Sequence, residues 1–293
     1  MELNFDDITV STKTIIGVSD LKIDIETVFK NLEISPYVVI PKKRGRQKKV
    51  SRKDPNKDLP EGSIITLKYQ GNVRGVDLQA NKHKKKRSLN AKKYFRNALT
   101  VVMKIDNKLI NFKISKNGKF QITGVKFDNQ AKKCVQFFWE KLDTPEQTMK
   151  IIFINVMTNI DFNVGFIINR ENLDRHMNSC TEYHSLLETS FGYTGVNIKI
   201  PLTEKIEIDL DTMFWENHAW NYGTVKYTDY ISGLSLEDQQ KEKKKKRYNT
   251  FLVFHSGKII MSGMNQKFMK PVFNQFVQII RDSRDIIEER LEE

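Results

Sequence analysis

The sequence predicts an α+β fold in which two β-α-β-β-β-α repeats form one antiparallel sheet with all the helices on one face. The main observation is a repeated hairpin. The stretch 112–126, with its Asn-Gly-Lys and Thr-Gly, returns as 252–265 with Ser-Gly-Lys and Ser-Gly. Gly118 matches Gly257 and Gly124 matches Gly263, and the same number of residues separates the two members of each pair. We call this separation in sequence the hairpin offset. A hairpin that recurs at a constant offset and leads into a helix each time indicates a pseudo-twofold protein.

The first helix of each repeat supports the same duplication. Ile23-Asp-Ile-Glu-Thr-Val aligns with Ile168-Asn-Arg-Glu-Asn-Leu without a gap. Each of these segments follows a strand rich in β-branched residues. A sheet that carries helices on one face only leaves its other face uncovered. Such a face is either a binding surface or a site of aggregation.

The first repeat is predicted to span residues 8–145. It starts with a strand at 8–15, followed by a helix at 19–32 that Pro36 and Pro41 end. A basic insert follows at 41–93, and its first part, 42–63, which is Pro-bearing and poor in apolar residues, is predicted to be an exposed loop or disordered. The other predicted elements are a short strand at 64–69, strands at 98–105, 109–115 and 119–123, and a helix at 129–142.

The second repeat is predicted to span residues 146–293 in the same order of elements. It contains an aromatic and basic insert at 201–249. The elements predicted around this insert are a strand at 150–158, a helix at 171–187, strands at 194–200, 250–255 and 258–262, and a final helix at 266–291.

Composition narrows the classes of function. The 293-residue chain carries a formal net charge of +13 and has a pI near 9.5, which favours an acidic partner over a role in solubility alone. The excess charge is concentrated at 42–57, 82–93 and 241–247. Two cysteines cannot build a disulfide framework and fit a reducing compartment. With no signal peptide and no apolar run of membrane-spanning length, we expect an intracellular protein.

Enzymatic chemistry is not expected. The sequence has no phosphate-binding Gly-rich loop of the Walker type, no His-Glu-x-x-His motif and no nucleophile elbow. His176, Cys180 and His184 are spaced as on one helix, where the first and last would be too far apart to share a metal ion. We therefore predict no cofactor and no metal.

The order of elements, the Gly-Lys turn and the Gly before each last helix resemble the TATA-box-binding protein family. In that family the pattern Ile-Phe-x-Ser-Gly-Lys-x-Val-x-Thr-Gly-Ala-Lys occurs once per repeat. Val253-Phe-His-Ser-Gly-Lys-Ile-Ile-Met-Ser-Gly-Met-Asn265 is a close match and 114–126 a looser one, while Thr9-Val-Ser-Thr12 is similar to the start of the family's first strand. The resemblance covers 8–35, 94–142, 150–200 and 250–284, and the long inserts are more typical of homologues from large DNA viruses.

The resemblance implies a saddle whose curved sheet binds the minor groove of A·T-rich double-stranded DNA, with helices on the convex face. It also implies apolar wedges that kink the DNA and recruitment of RNA polymerase or initiation factors. The protein is expected to be a monomer with internal pseudo-dimeric symmetry. It is expected in the nucleus or at a cytoplasmic site of viral replication, and packaging in the virion is a further expectation. The DNA-contacting residues that it implies are Ile8, Val10, Phe95, Phe112, Ile114, Lys116, Lys119, Thr123, Asn155, Met157, Phe191, Tyr193, Leu252, Phe254, Lys258 and Ser262.

Several of these positions depart from the family pattern. Ile8 stands where one central base-reading asparagine is expected, and Asn155 takes the place of the other. One wedge falls on Tyr193 or Phe191, depending on the alignment. In the first repeat, the wedge before Val101 falls on Ala98, unless a three-residue shift brings in Phe95 or Tyr94, and the wedge before Gly118 falls on Ile114, with Phe112 beside it. For each aromatic residue, the alternative to DNA contact is burial in the core. For the lysines, the alternative to phosphate contact is simple exposure to solvent. An adaptor that keeps the fold but binds proteins, and a nonspecific basic DNA binder, are therefore the alternative functions.

Overall fold

The computed structural model describes residues 3–39, 55–78, 97–142, 148–188 and 195–289. Contacts divide the chain into two compact units. The N-unit comprises Ile15–Ile154 and Asp211–Gly223, and the C-unit comprises Met1–Thr14, Asn155–Leu210 and Thr224–Glu293. The repeat boundaries predicted above, 8–145 and 146–293, stay a prediction.

The described residues form strands and helices in the following order. The strands are β1 Val10–Ser19, β2 Ile64–Tyr69, β3 Asn72–Gly75, β4 Ala98–Ile105, β5 Lys108–Ser115, β6 Lys119–Val125, β7 Met149–Asn163, β8 His184–Glu188, β9 Gly195–Pro201, β10 Asp209–Glu216, β11 Ala219–Lys226, β12 Tyr248–Phe254 and β13 Lys258–Gly263. The helices are α1 Ile25–Asn31, α2 Asp128–Glu140, α3 Arg170–Cys180, α4 Tyr227–Ser232, α5 Leu236–Lys244, α6 Gln266–Asp282 and α7 Arg284–Ile287.

The predicted α+β class and the antiparallel sheet are confirmed. Hydrogen bonds join the strands of the N-unit in the order β3-β2-β4-β5-β6-β1 and those of the C-unit in the order β7-β13-β12-β9-β8. Strands β1 and β7 are neighbours in this order, and each passes from one unit into the other along the chain. None of the described helices is long and apolar enough to cross a membrane.

The two repeated hairpins are anchored by equivalent hydrogen bonds. In the N-unit the amide of Ser19 donates to the carbonyl of Gly118 (3.2 Å), and in the C-unit the amide of Val164 donates to the carbonyl of Gly257 (3.1 Å). The donors Ser19 and Val164 are equivalent when the ungapped alignment of the two first helices is extended back to them. The acceptors Gly118 and Gly257 are equivalent by the hairpin offset. Both glycines have a positive φ, 66° and 75°, which other residues adopt only with strain.

Each unit has its own aromatic core beneath the sheet. In the N-unit, Phe112 and Phe120 of neighbouring strands both contact Phe138 of α2 edge-on. In the C-unit, Phe251 of β12 stacks on Phe276 of α6 with ring centroids 3.8 Å apart. Phe112 and Phe251 are again related by the hairpin offset, so the duplication extends to the packing of the core.

Three predicted helices differ from the observed ones. The first begins at Ile25, because the Asp24 carboxylate caps it by accepting the amides of Glu26 and Thr27. The helix predicted at 171–187 ends at Cys180, and His184 lies in a strand, so the three potential metal ligands do not share a helix. The final helix is interrupted at Ser283. In the part of the chain that the structure describes, no three His, Cys, Asp or Glu side chains are grouped to hold a metal.

The insert 201–249 is folded, and its middle part, Asp211–Gly223, belongs to the N-unit. Strand β10 pairs with β7, with Trp215 opposite Met149, and Trp215 and Trp220 pack against the N-unit core. On α2, Lys132 forms an ion pair with Asp211 (2.7 Å), and Gln136 donates to the Tyr222 hydroxyl (2.6 Å). The hairpin of β10 and β11 therefore occupies part of the surface of α2.

Candidate nucleic-acid interface

The side chains of β12 and β13 alternate between the C-unit core and the opposite face. Phe251, Val253, Ile259 and Met261 are buried in the core, whereas the even-numbered residues are partly or fully exposed. We call this second face the C-unit open face. Its members on these two strands are Tyr248, Thr250, Leu252, Phe254, Lys258, Ile260 and Ser262.

The pairing register places an apolar row across the middle of this open face. Leu252 lies opposite Ile260 on one side and Asn197 on the other. Asp161 continues the row next to Ile260, and Leu186, which is 58% exposed, continues it next to Asn197. Apart from its acidic end, this row presents aliphatic side chains and one amide to solvent.

Gly195 gives Leu252 its position in this row. A Cβ atom at residue 195 would lie 2.7 Å from Cδ1 of Leu252, a distance that real Cβ atoms essentially never show. A side chain at residue 195 would therefore require the end of the Leu252 side chain to move.

A row of polar side chains lies next to the apolar row. Ser262 is opposite Thr250 on one side and Asn159 on the other, and Lys199 and His184 extend the row towards β8. Lys258 is exposed at the turn end of β13, opposite Asn163. Hydroxyl groups and two lysines thus flank the aliphatic centre.

Four residues that the resemblance implies as DNA contacts lie together on this face. They are Leu252, Phe254, Lys258 and Ser262. Phe254 ends β12 opposite Gly195 and is partly exposed. The close match to the family pattern around Ser256-Gly-Lys258 is the sequence signal that finds this group.

Strand β7 changes phase between its two halves, and this affects Asn155 and Met157. Phe153 and Thr158 are both buried, although an odd number of positions separates them, while Val156 and Met157 are each 40% exposed. Asn155 donates from Nδ2 to the Thr158 hydroxyl (2.8 Å), and its Oδ1 is buried without a hydrogen bond among the described atoms. The amide of Asn155 is therefore turned along its own strand.

Asn159 is a residue of the open face that the sequence did not single out. Its Nδ2 donates to the Thr12 hydroxyl (3.1 Å), and within the described ranges its buried Oδ1 has no hydrogen-bond partner. The Oδ1 of Asn197, in the apolar row, is in the same situation. Only the register of β7 and β9 identifies these two amides, because neither stands in a family motif.

The N-unit has a corresponding face, which we call the N-unit open face. Of the predicted contacts, Thr123 and Lys119 lie on it and are exposed. Asn111 is opposite Thr123, and Lys113 is opposite Gln121. This face therefore presents amide, hydroxyl and ammonium groups where the C-unit presents aliphatic ones.

Phe112 and Ile114 are not on the N-unit open face, which corrects the prediction that they contact DNA. Both are fully buried in the N-unit core, and Phe112 packs against Phe138. The hairpin offset pairs Phe254 with Ser115 and not with Ile114. An error of one position places a side chain on the opposite face of the sheet, because successive residues of a strand alternate.

Part of the N-unit open face is covered by the chain itself. Thr66, Val102 and Lys104 point away from the helix-covered core and are nevertheless buried. The Lys104 ammonium donates to the carbonyl of Leu59 (2.6 Å) and to those of Lys57 and Asn56, and the Thr66 hydroxyl donates to the carbonyl of Val76 (2.5 Å). Segments 56–59 and 76–78, which lie within the predicted insert 41–93, therefore occupy the side of this face formed by β2 and β4.

The remaining predicted contacts have other positions. Val10 and Ile8 are partly buried against the C-unit core, and Ile8 precedes β1 instead of belonging to it. Lys116 is exposed in the hairpin turn, where its carbonyl accepts the amide of Ile23 (2.9 Å). The predictions for Phe95, Phe191 and Tyr193 lie outside the described residues.

The described basic run at 241–247 is partly neutralised. Glu242 pairs with Lys245 (3.1 Å) and with Arg247 (2.6 Å). Burial alone would raise the pKa of Glu242, but the hydrogen bonds and charges of these two cations outweigh it and hold this pKa below its usual value. Lys243, Lys244 and Lys246 are exposed and, in the described structure, contact no carboxylate.

Comparison with known proteins finds similarity to a viral protein and to solved structures. A 208-residue stretch is 29% identical to "Uncharacterized protein 335L" of Invertebrate iridescent virus 6 and covers 66% of this chain. The match spans 62% of that protein, less than two thirds of its length. No protein-family model matches the chain.

Among solved structures, the chain is similar to Methanococcus jannaschii TBP. The TM-score is 0.45 and the sequence identity 11%, over 94% of this chain and 98% of that one. The fold described above rests on the strand order and register and not on this likeness.

Proposed function

We propose that the C-unit open face binds the minor groove of A·T-rich double-stranded DNA, and that the protein acts as a non-enzymatic initiation factor that recruits transcription machinery of a virus. The observation that supports this proposal best is the apolar row centred on Leu252 and Ile260, whose side chains are partly exposed on a sheet face with hydroxyl groups and lysines beside them. The resemblance of the Ser-Gly-Lys hairpin to the TATA-box-binding protein family agrees with it.

The apolar row explains a preference for A·T pairs. In the minor groove, A·T pairs present only hydrogen-bond acceptors, whereas G·C pairs add the donor amine of guanine. Against Leu252 and Ile260 that amine would lose its water and find no acceptor, which costs about 1–3 kcal/mol. Adenine and thymine leave no such donor against the aliphatic side chains.

The lysines and the aromatic residue have separate roles in this proposal. Lys258 and Lys199 contact phosphates, since both are exposed on the open face and, in the described part of the chain, neither forms an ion pair. Each phosphate contact contributes roughly 0.9 to the salt dependence of log K. Phe254, at the end of β12, is placed to insert between base pairs, as apolar side chains of minor-groove proteins do.

Three duplexes of equal length test the proposal by fluorescence anisotropy at one salt concentration. One is A·T-rich, one replaces its central pairs by G·C, and one uses inosine·C, which lacks the minor-groove amine. We expect tight binding to the first and third and weaker binding to the second, by roughly tenfold per unfavourable pair. If inosine·C binds as weakly as G·C, the minor-groove amine is not what the protein reads.

The same series separates the alternative functions. Equal affinity for all three duplexes with a steep salt dependence would support nonspecific binding, for which the exposed Lys243, Lys244 and Lys246 provide the charge. No binding near physiological salt would support a protein-interaction adaptor.

Asp161 provides a further prediction, because a carboxylate at the end of the apolar row repels phosphate. Asp161→Asn is expected to tighten DNA binding by about 1 kcal/mol, roughly fivefold, as estimated for a pair of charges in a water-like medium. The measurement is the affinity for the A·T-rich duplex at low salt. Glu171→Gln on α3 makes the same change of charge away from the open face and should alter the affinity much less.

A further inference from the structure

The hairpin offset allows the two open faces to be compared position by position. Leu252 corresponds to Lys113, Ile260 to Gln121, and Phe254 to Ser115. Each pair occupies the same strand position and the same face in its own unit. At all three positions an apolar side chain in the C-unit is replaced by a polar one in the N-unit.

The middle of the N-unit open face also differs in what surrounds it. Lys113 is flanked by Thr100 of β4 and Gln121 of β6 in the register, where Leu252 is flanked by Asn197 and Ile260. The neighbouring positions on β2 and β4 are closed by segments 56–59 and 76–78. The N-unit therefore offers a narrower surface made of hydrogen-bonding and cationic groups.

We propose that discrimination between A·T and G·C pairs resides in the C-unit open face alone, and that the N-unit open face makes only contacts that tolerate either kind of pair. This inference rests on the proposed function. Discrimination by an aliphatic surface depends on its inability to accept a hydrogen bond from guanine. Gln121 and Asn111 carry carbonyl oxygens that can accept such a bond, so the N-unit face has no comparable reason to reject G·C.

The first test is a scan of the wild-type protein, which needs no folded variant. Each base pair of the A·T-rich duplex is replaced in turn by G·C, and the affinity is measured by anisotropy. We expect one contiguous sensitive stretch in which each replacement weakens binding roughly tenfold, and less than about twofold effects elsewhere. Two separate sensitive stretches of similar depth would overturn the inference while leaving the proposed function intact.

The second test exchanges the equivalent residues between the units. In the variant Leu252→Lys with Ile260→Gln, we expect the ratio of A·T to G·C affinity to fall to about one while salt-dependent binding remains. In the variant Lys113→Leu with Gln121→Ile, we expect the sensitive stretch to lengthen. Circular dichroism and thermal melting verify that both variants fold.

The outcomes distinguish the two levels of the proposal. Wild-type protein without any A·T preference would contradict the proposed function and the inference together. Wild-type preference that survives the C-unit exchange would contradict the inference and the role given to the apolar row, while A·T-rich DNA would remain the ligand. If the variant Lys113→Leu with Gln121→Ile showed the same sensitive stretch as the wild type, that result would also contradict the inference. The side chains at 113 and 121 would then not decide whether G·C pairs are tolerated.

Discussion

Replacing Ile260 by aspartate is expected to reduce the affinity for the A·T-rich duplex by roughly 100-fold, or about 2.7 kcal/mol. The new carboxylate would lie in the centre of the apolar row, opposite Leu252, and next to Asp161. Binding would remove this charge from water without a partner and bring it close to phosphates, and both effects oppose association. Anisotropy with the A·T-rich duplex measures the loss.

Gln121→Asp is the matched control for this variant. Gln121 is the equivalent residue of the N-unit hairpin, is exposed, and gains the same single negative charge. We expect a loss of at most about fivefold, from long-range repulsion alone. Equal losses in the two variants would show that the open faces contribute alike and would contradict the central role given to the C-unit row.

Phe112→Ala is expected to lower the free energy of unfolding by about 3–5 kcal/mol. Phe112 is fully buried in the N-unit core and contacts Phe138 of α2, so truncation leaves a cavity between the sheet and the helix. Urea denaturation followed by circular dichroism measures the change. For folded protein, the discrimination between A·T and G·C duplexes should stay as in the wild type, since the residue is not on the open face.

Ser115→Ala provides the comparison, because Ser115 is partly exposed on the N-unit open face. Its hydroxyl accepts the amide of Lys119 (3.2 Å), so the expected loss of stability is about 0.5–1.5 kcal/mol, well below that of Phe112→Ala. If Phe112→Ala left stability unchanged and removed DNA binding, the assignment of Phe112 to the core would be wrong and the prediction that it contacts DNA would be restored.

The duplicated hairpins were predictable because two independent signals agree on them. The Gly-Lys turns mark positions of positive φ, and the alternation of apolar residues on both sides of each turn marks the strands. The same hairpin match located Leu252, Phe254 and Ser262 on one face. Where a motif and a strand period coincide, the sequence identifies both the element and the direction of its side chains.

The contacts in the first repeat could not be predicted in the same way. The match around Gly118 is loose, and the DNA contact was assigned to Ile114, one position away from Ser115, which the hairpin offset pairs with Phe254. In a strand this moves a side chain from the surface into the core, as Ile114 and Ser115 demonstrate. The internal offset was the better guide, because both hairpins share the same turn.

Other differences depend on long-range pairing. Residues 184–188 have no local signal that ends the preceding helix, and they become a strand because β9 offers them a partner. Asn159 reaches the open face only because β7 changes phase near Met157. Single-sequence periodicity contains neither the partner strand nor such a change of phase.

The hairpin of β10 and β11 has a consequence for how the protein is made. Residues Asp211–Gly223 complete the N-unit, yet they follow Asn155–Leu210 of the C-unit in the chain, while Met1–Thr14 belongs to the C-unit. During synthesis on the ribosome, the N-unit therefore cannot complete its fold until residue 223 has emerged. Residues Met1–Thr14 likewise cannot complete the C-unit until Thr224–Glu293 have been made. A gene fragment that ends between the repeats would consequently encode a body with an unpaired strand edge and without the two tryptophans that pack against its core.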